Sequence, residues 1–201
     1  GYALHNAPGV PVGKFETRAG VFKSAEDNFD IRVSGRGVHS ARPHLGRDAL
    51  VAAAGIIVAL QTIVSRVVPP GEFAIVSCTD MTTSGTRNVS TGEVVISGDC
   101  RSFKPETSAL IEAEMRRVAE HVAAGYGCTS EVDYSRVFIP TINDAQITAE
   151  VDQIIKARFG ADAMDSAAAP SNGSEDFAQL LRRVPGCYVN LGNGQSAALH
   201  N

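Results

Sequence analysis

The order in which hydrophobic periodicity changes along residues 29–138 restricts the fold more than any other feature of this chain. Phe29, Ile31 and Val33 alternate with Asp30, Arg32 and Ser34, which is the period of a half-buried strand. After the Gly- and Pro-punctuated stretch 35–46, Leu50, Ala54, Ile57, Gln61 and Val64 recur at helical spacing over 47–66. Pro69-Pro70-Gly71 ends that run. Its other side carries Ala52, Ala53, Gly55 and Ala59, small enough for a second surface to approach closely. Segments 73–82 and 92–103 read as strands, with Val94, Ile96, Gly98 and Cys100 sharing one face of the second. Pro105 suits the first turn of a helix, where its missing N–H costs nothing. Ile111, Met115, Val118 and Val122 form the apolar stripe of that helix, and Gly125 and Gly127 stop it. Residues 129–138 alternate again around Val132 and Tyr134. The β-α-β-β-α-β order predicts an antiparallel sheet with two helices on one face, the ferredoxin-like arrangement.

The flanks must pack elsewhere. Residues 1–20 carry turn signals at Pro8-Gly9, Pro11 and Gly13 and lack the periodicity of a closed unit. Further on, 145–159 and 175–183 read as helices and 187–191 as a strand. The predicted organisation is therefore α+β for 29–138, inserted into an α/β domain assembled from 1–28 and 139–201. With 201 residues, 44% of them hydrophobic, a sizeable core is available. The net charge of −4 and scattered basic residues, paired only at Arg116-Arg117 and Arg182-Arg183, exclude a nucleic-acid footprint. Cys78, Cys100, Cys128 and Cys187 form no CxxC, so a zinc knuckle is not expected, and reduced thiols in the cytoplasm are. The uncharged run 49–65 contains Gln61 and Thr62 and reads as a buried helix rather than a membrane span.

Chemistry concentrates in the histidines. Ala3-Leu4-His5-Asn6 recurs as Ala198-Leu199-His200-Asn201 at the other end. The repeat is either coincidence or two halves of one polar site, since a buried neutral imidazole commonly ligates a metal. His39 sits in Gly35-Arg36-Gly37-Val38-His39-Ser40-Ala41-Arg42-Pro43-His44, directly after a strand. It is either a loop cap or a held catalytic imidazole. His44 reads as structural, His121 as a solvated helix residue, and Gly192-Asn193-Gly194 as a turn. Glu175 and Asp176, after Ser174, read as first-turn acids of a helix in preference to metal ligands.

The 35–44 segment resembles the GxGxHxxxPH signature of the hippurate hydrolase, aminoacylase and indole-acetyl-amino-acid hydrolase family of metallopeptidase clan MH. Other segments agree in order. The opening Gly-Tyr-Ala-Leu-His-Asn with Pro11-Val12-Gly13 is similar to the family's G-L-H-x-x-P-x-x-P-x-G stretch. Thr17-Arg18-Ala19-Gly20 matches its T-R-x-G, and 60–66 its L-Q-T-I-V-S-R. Arg87-Asn88-Val89 resembles x-N-V-I-P, and 98–103 resembles G-T-x-R-T-F. Ser174-Glu175-Asp176-Phe177, Val184-Pro185-Gly186 and Leu199-His200-Asn201 complete the series.

The resemblance implies a zinc-peptidase-like α/β catalytic domain, here partial, carrying two divalent metal ions (zinc, manganese or nickel), with the inserted unit as lid and dimerisation domain. It implies metal ligation by His5 and His200. His39, supplied to the partner subunit's site, is expected to stabilise the oxyanion formed when activated water attacks an amide carbonyl. Asn88 and Arg101 are expected to hold the carboxylate end of a small N-acyl amino acid. The family's H-x-C-G-H-D segment and Glu-Glu pair have no counterpart in the chain, and Ser90-Thr91-Gly92 stands in place of Ile-Pro-Asp. A C-terminal portion of an amidohydrolase, a homodimer and inactive alone, is thus the expectation. A non-catalytic dimerisation or small-molecule-binding module is the alternative.

Overall fold

The computed structural model describes residues 1–194. Its mixed α/β chain runs β1 (Tyr2–Ala7), β2 (Phe15–Glu16), β3 (Gly20–Lys23), β4 (Ala25–Ser34), α1 (Ala49–Thr62), β5 (Ala74–Thr83), β6 (Glu93–Ser102), α2 (Pro105–Gly125) and β7 (Thr129–Phe138). There follow β8 (Thr141–Asn143), α3 (Ala145–Phe159), β9 (Met164–Asp165), α4 (Ala178–Leu181) and β10 (Cys187–Gly192). Two compact units result: residues 26–137, and residues 1–25 together with the chain from Phe138 onward.

In the 26–137 unit the sheet order is β5-β6-β4-β7. β4 buries Asp27, Phe29, Ile31 and Val33 and exposes Asn28, Asp30 and Arg32 between them. Ile56, Leu60 and Ile63 from the first helical segment and Ile111, Met115 and Val118 from α2 join that face in one core. Each such side chain contributes roughly 1.5–3 kcal/mol on burial. Asp48 caps α1 by accepting from the N–H groups of Leu50 and Val51 at 2.9 and 3.2 Å. The last turn, Ile63–Val67, widens to a π-helix ahead of Pro69. The buried carboxylate of Asp27 accepts from Ser108 Oγ at 2.6 Å and Tyr134 Oη at 2.8 Å, tying β4 to α2 and β7.

The stripe read for α1 is corrected. Ala49, Ala52, Ala53, Ile56, Leu60 and Ile63 are buried, whereas Leu50 and Val64 are 39% and 38% exposed and Val58 is 72% exposed. The helix is apolar almost all round, so periodicity could not choose its inner face. The small residues chose it instead, by letting α1 lie close to the rest of the core. The segment Ala49–Val67 is long and apolar enough to cross a membrane by composition, and its inner face is spent on this core.

In the other unit the sheet order is β1-β10-β2-β9, with β3 and β8 as a separate pair. β1 and β10 run parallel, His5 opposite Asn190. Cys187 and Val189 of β10 face a core shared with Phe15, Met164 and Val151 of α3. Tyr188 faces the opposite way, into a second core with Phe22 and Ala168. Strands β1 and β2 were not legible in the opening residues, because β2 is two residues long and β1 buries only Ala7. The helix expected over 175–183 shrinks to α4. Pro185 and Gly186 stop it, and the residues before it turn to carry Glu175 elsewhere.

Candidate active-site residues

His5 stands on β1, an edge strand, and is exposed. Its Nδ1 lies 2.7 Å from the carbonyl oxygen of Asn6. A carbonyl can only accept, so Nδ1–H donates to it and Nε2 is the nitrogen left for a metal. An imidazole oriented in this way ligates through Nε2. The ring stacks on Tyr188, with centroids 6.3 Å apart and planes 26° from parallel.

Tyr188 is fixed from several sides. Asn143 Oδ1 accepts its main-chain N–H at 2.8 Å, and Thr17 Oγ1 donates to its carbonyl at 2.7 Å. The phenol donates to Glu175 Oε2 at 2.7 Å, and Lys23 Nζ lies 5.3 Å from the ring centroid. Burial pushes the Tyr188 hydroxyl up, reinforced by Glu175. Burial also raises the Glu175 carboxyl, but hydrogen bonding with Tyr188, Asp176 and the Phe177 main chain, and the nearby His5, outweigh it and hold it below the usual range. Burial lowers the Lys23 ammonium, partly offset by Glu175 and Glu16. Neither Tyr188 nor Lys23 was picked out by sequence. The available signal was the strand 187–191, which pairs with the strand bearing His5. Glu175 is not the first-turn acid expected of it.

Among the described residues no group of three His, Cys, Asp or Glu side chains converges to hold a metal. His5 fits as one donor. His200 lies outside the described residues.

In the 26–137 unit, the turn bearing His39 is pinned against the loop 86–92. Val38 N donates to Ser90 Oγ at 3.0 Å, and Ser90 N donates to Val38 O at 2.9 Å. Ser40 N donates to Asn88 O at 2.9 Å. Gly37 is required there, since a Cβ would sit 2.5 Å from Ser90 O. His39 Nδ1 accepts the N–H of Ala41 at 3.1 Å, which places the proton of the neutral ring on Nε2. His39 is thus preset as a donor and His5 as an acceptor, each by one main-chain group. Ser90, a departure from the family motif, adds its hydroxyl to the main-chain bonds that hold the loop on the turn.

The structure brings His39 and Asn88 together and leaves Arg101 apart. Val38, Ser40, Pro43, Arg87 and Val89 border a cleft of about 360 Å³ beside them. Arg101 stands at the far end of β6, eight residues beyond Glu93, or about 26 Å along the strand. There its Nε meets Asp99 at 2.5 Å and its Nη1 meets Glu26 at 2.8 Å. Within one chain, Asn88 and Arg101 do not flank a common ligand. Of the remaining candidates, His44 occupies the exposed turn Pro43–Leu45, and His121 Nδ1 bonds Arg117 O at 2.8 Å on the outer side of α2. Gly194 exchanges main-chain bonds with Gly9 and Val10, the turn expected there.

N-acetyl-L-cysteine deacetylase from Bacillus subtilis (strain 168) is 36% identical over 190 residues, 94% of this chain and 45% of that protein. N-acetyldiaminopimelate deacetylase from Anoxybacillus flavithermus is 30% identical over 99% of this chain and 52% of its own length. A crystal structure from Bacillus subtilis described as a dinuclear metal-binding peptidase of the M20 family superposes with a TM-score of 0.81 at 28% identity, covering 100% of this chain and 50% of that one. The chain spans about half the length of the curated relatives it matches. The sequence profile of peptidase family M20/M25/M40 matches it from residue 1 to residue 201, and the chain belongs to that family.

Proposed function

We propose that the chain forms the C-terminal portion of a cytoplasmic, metal-dependent amidohydrolase that cleaves the amide bond of N-acyl amino acids or similar small conjugates. The observation that carries this is the opposite hydrogen bonding of two imidazoles at Nδ1, which faces a carbonyl in His5 and an amide N–H in His39. The deacetylase names of the relatives and the dinuclear description of the structural neighbour support the substrate class and a pair of divalent ions.

In this reading His5 and His200 each hold one metal ion. When bound, the ions supply Lewis acidity and a nucleophile at neutral pH. His39 Nε2–H donates to the oxygen that gains charge as the amide carbonyl is attacked, the task of an oxyanion donor. Asn88, whose main-chain carbonyl accepts from Ser40 N in the His39 turn, orients the carboxylate end of the substrate. Arg101 serves that carboxylate only if a second copy supplies it, given its place on β6. The 26–137 unit, with its β5-β6-β4-β7 order, is the ferredoxin-like lid. The apolar outer face of α1, including Val51 and Val58, supports a homodimer through this unit.

The test is hydrolysis of N-acetylated amino acids by the complete polypeptide and by residues 1–201, with zinc or manganese. The complete protein should turn over and lose activity to a chelator, and the 201-residue chain should not. Turnover by the short chain at ordinary enzyme rates sinks the assignment of the missing ligands. Inactivity of both favours a non-catalytic binding module.

A further inference from the structure

We propose that Tyr188 and Glu175 are positioning residues that hold the His5 imidazole in its ligating orientation. The proposal rests on the reading of His5 as a metal ligand. His5 lies on an edge strand with its side chain exposed, and among the described residues the bond to the Asn6 carbonyl and the stack on Tyr188 restrain the ring. A bond to a carbonyl on the adjacent residue leaves the plane of the ring free to swing about that bond. The Tyr188 face removes this freedom, provided that Tyr188 itself cannot move.

Tyr188 is 2% exposed, with its N–H and C=O clamped by Asn143 and Thr17 and its ring contacted by Phe22 and Phe177. Parallel pairing of β1 with β10 puts Tyr188 opposite Ala3, one diagonal step from His5 and within reach of an aromatic ring. Glu175 completes the device. Its Oε2 accepts a hydrogen bond from the phenol at 2.7 Å and its Oε1 accepts one from the N–H of Asp176 at 3.1 Å, so both oxygens are committed. That commitment makes Glu175 an anchor for Tyr188. A phenol donating to a carboxylate also gains electron density in its ring, which favours cationic neighbours on its face. Lys23 already occupies one such position, 5.3 Å from the centroid. An imidazole that has given its lone pair to a metal becomes a second.

The experiment follows the His5 ring nitrogens by long-range proton–nitrogen NMR of the 15N-labelled 201-residue chain at neutral pH. The native chain should show Nδ1–H and an unprotonated Nε2. Tyr188→Leu and Glu175→Ala should each lower the Nδ1–H share at least about twofold, as the ring relaxes toward the Nε2–H form that free imidazoles prefer. Tyr188→Phe, which keeps the ring and loses the anchor, should fall between. Zinc titration of the same samples, read at Nε2, should show affinity weakened by about 10–100-fold, the usual effect of losing a partner that orients a metal ligand. If Tyr188→Leu fails to fold, Glu175→Ala decides, because it leaves the core side chains in place. Unchanged His5 tautomer in folded Glu175→Ala overturns the proposal. If native His5 holds the Nδ1–H form but ignores zinc, the metal-ligand reading fails while the positioning role stands.

Discussion

Substituting Gly37 by alanine should separate the His39 turn from the Asn88 loop, with a cost that the structure fixes. The new Cβ would lie 2.5 Å from Ser90 O, 3.1 Å from Gly92 N and 3.3 Å from Thr91 C, all main-chain atoms. No side chain can swing aside to relieve this, so the two segments must part by roughly 1 Å to reach ordinary van der Waals distance. The bonds between Val38 and Ser90, at 3.0 and 2.9 Å, then stretch beyond hydrogen-bonding range. Two lost bonds at about 0.5–1.5 kcal/mol each predict a destabilisation of roughly 1–3 kcal/mol, the scale also found for overpacking. Denaturant unfolding of the chain measures it as a lower midpoint with an unchanged slope. In the complete enzyme, a 1 Å misplacement of the donor should lower kcat about 100-fold and leave metal content intact. Gly85→Ala is the control, since its Cβ meets nothing closer than 3.5 Å. A Gly37→Ala protein as stable and as active as that control would refute the reasoning.

The Glu112 carboxylate answers to pH. Burial raises it, but hydrogen bonds and charge from Arg116 and Arg136 outweigh burial and hold it below the usual range. A depressed carboxyl stabilises the fold above its unfolded value and loses that contribution as pH falls through the folded one. Glu112→Gln should therefore flatten the loss of stability below about pH 4.5, by less than about 1 kcal/mol for so accessible a pair, as followed by urea midpoints from pH 3 to 7. The thiol of Cys100 is pushed up to about 12, chiefly by burial, and Cys78 and Cys128 are raised as well. Alkylation at pH 8 should reach Cys100 only on unfolding, and rapid labelling of Cys100 in the native chain would contradict its burial. Val58→Glu on the outer face of α1 should leave the unfolding midpoint unchanged and shift a dimer to monomer in sedimentation; an unchanged dimer would move the interface elsewhere.

The 26–137 unit was legible because strand and helix periods alternate in it with little ambiguity. The period-2 pattern of Phe29, Ile31 and Val33 and the stripe of Ile111, Met115 and Val118 translate directly into its core. The face of α1 was not legible, since a helix apolar on every side has no preferred direction until neighbours exclude the larger residues. In the other unit, strands of two to six residues draw their identity from pairing across the chain, as when β2 joins β10 through Leu191 and Phe15. At the candidate site, the family resemblance pointed to His39 and Asn88, which lie together. It also named Arg101, without the information that a length of strand separates it from Asn88 and that its guanidinium is paired with Asp99 and Glu26. Tyr188 escaped notice because its role comes from a strand register.

The protons of His5 and His39 are placed by an Asn6 carbonyl and an Ala41 amide, groups that every residue but proline carries in the same form. Side chains at positions 6 and 41 can therefore drift without moving either proton from one nitrogen to the other. At those two positions only a proline at 41, which deletes the donor, breaks the assignment. The division of labour between the two rings is thus written first into the course of the main chain, and it is insulated from most single substitutions at residues 6 and 41.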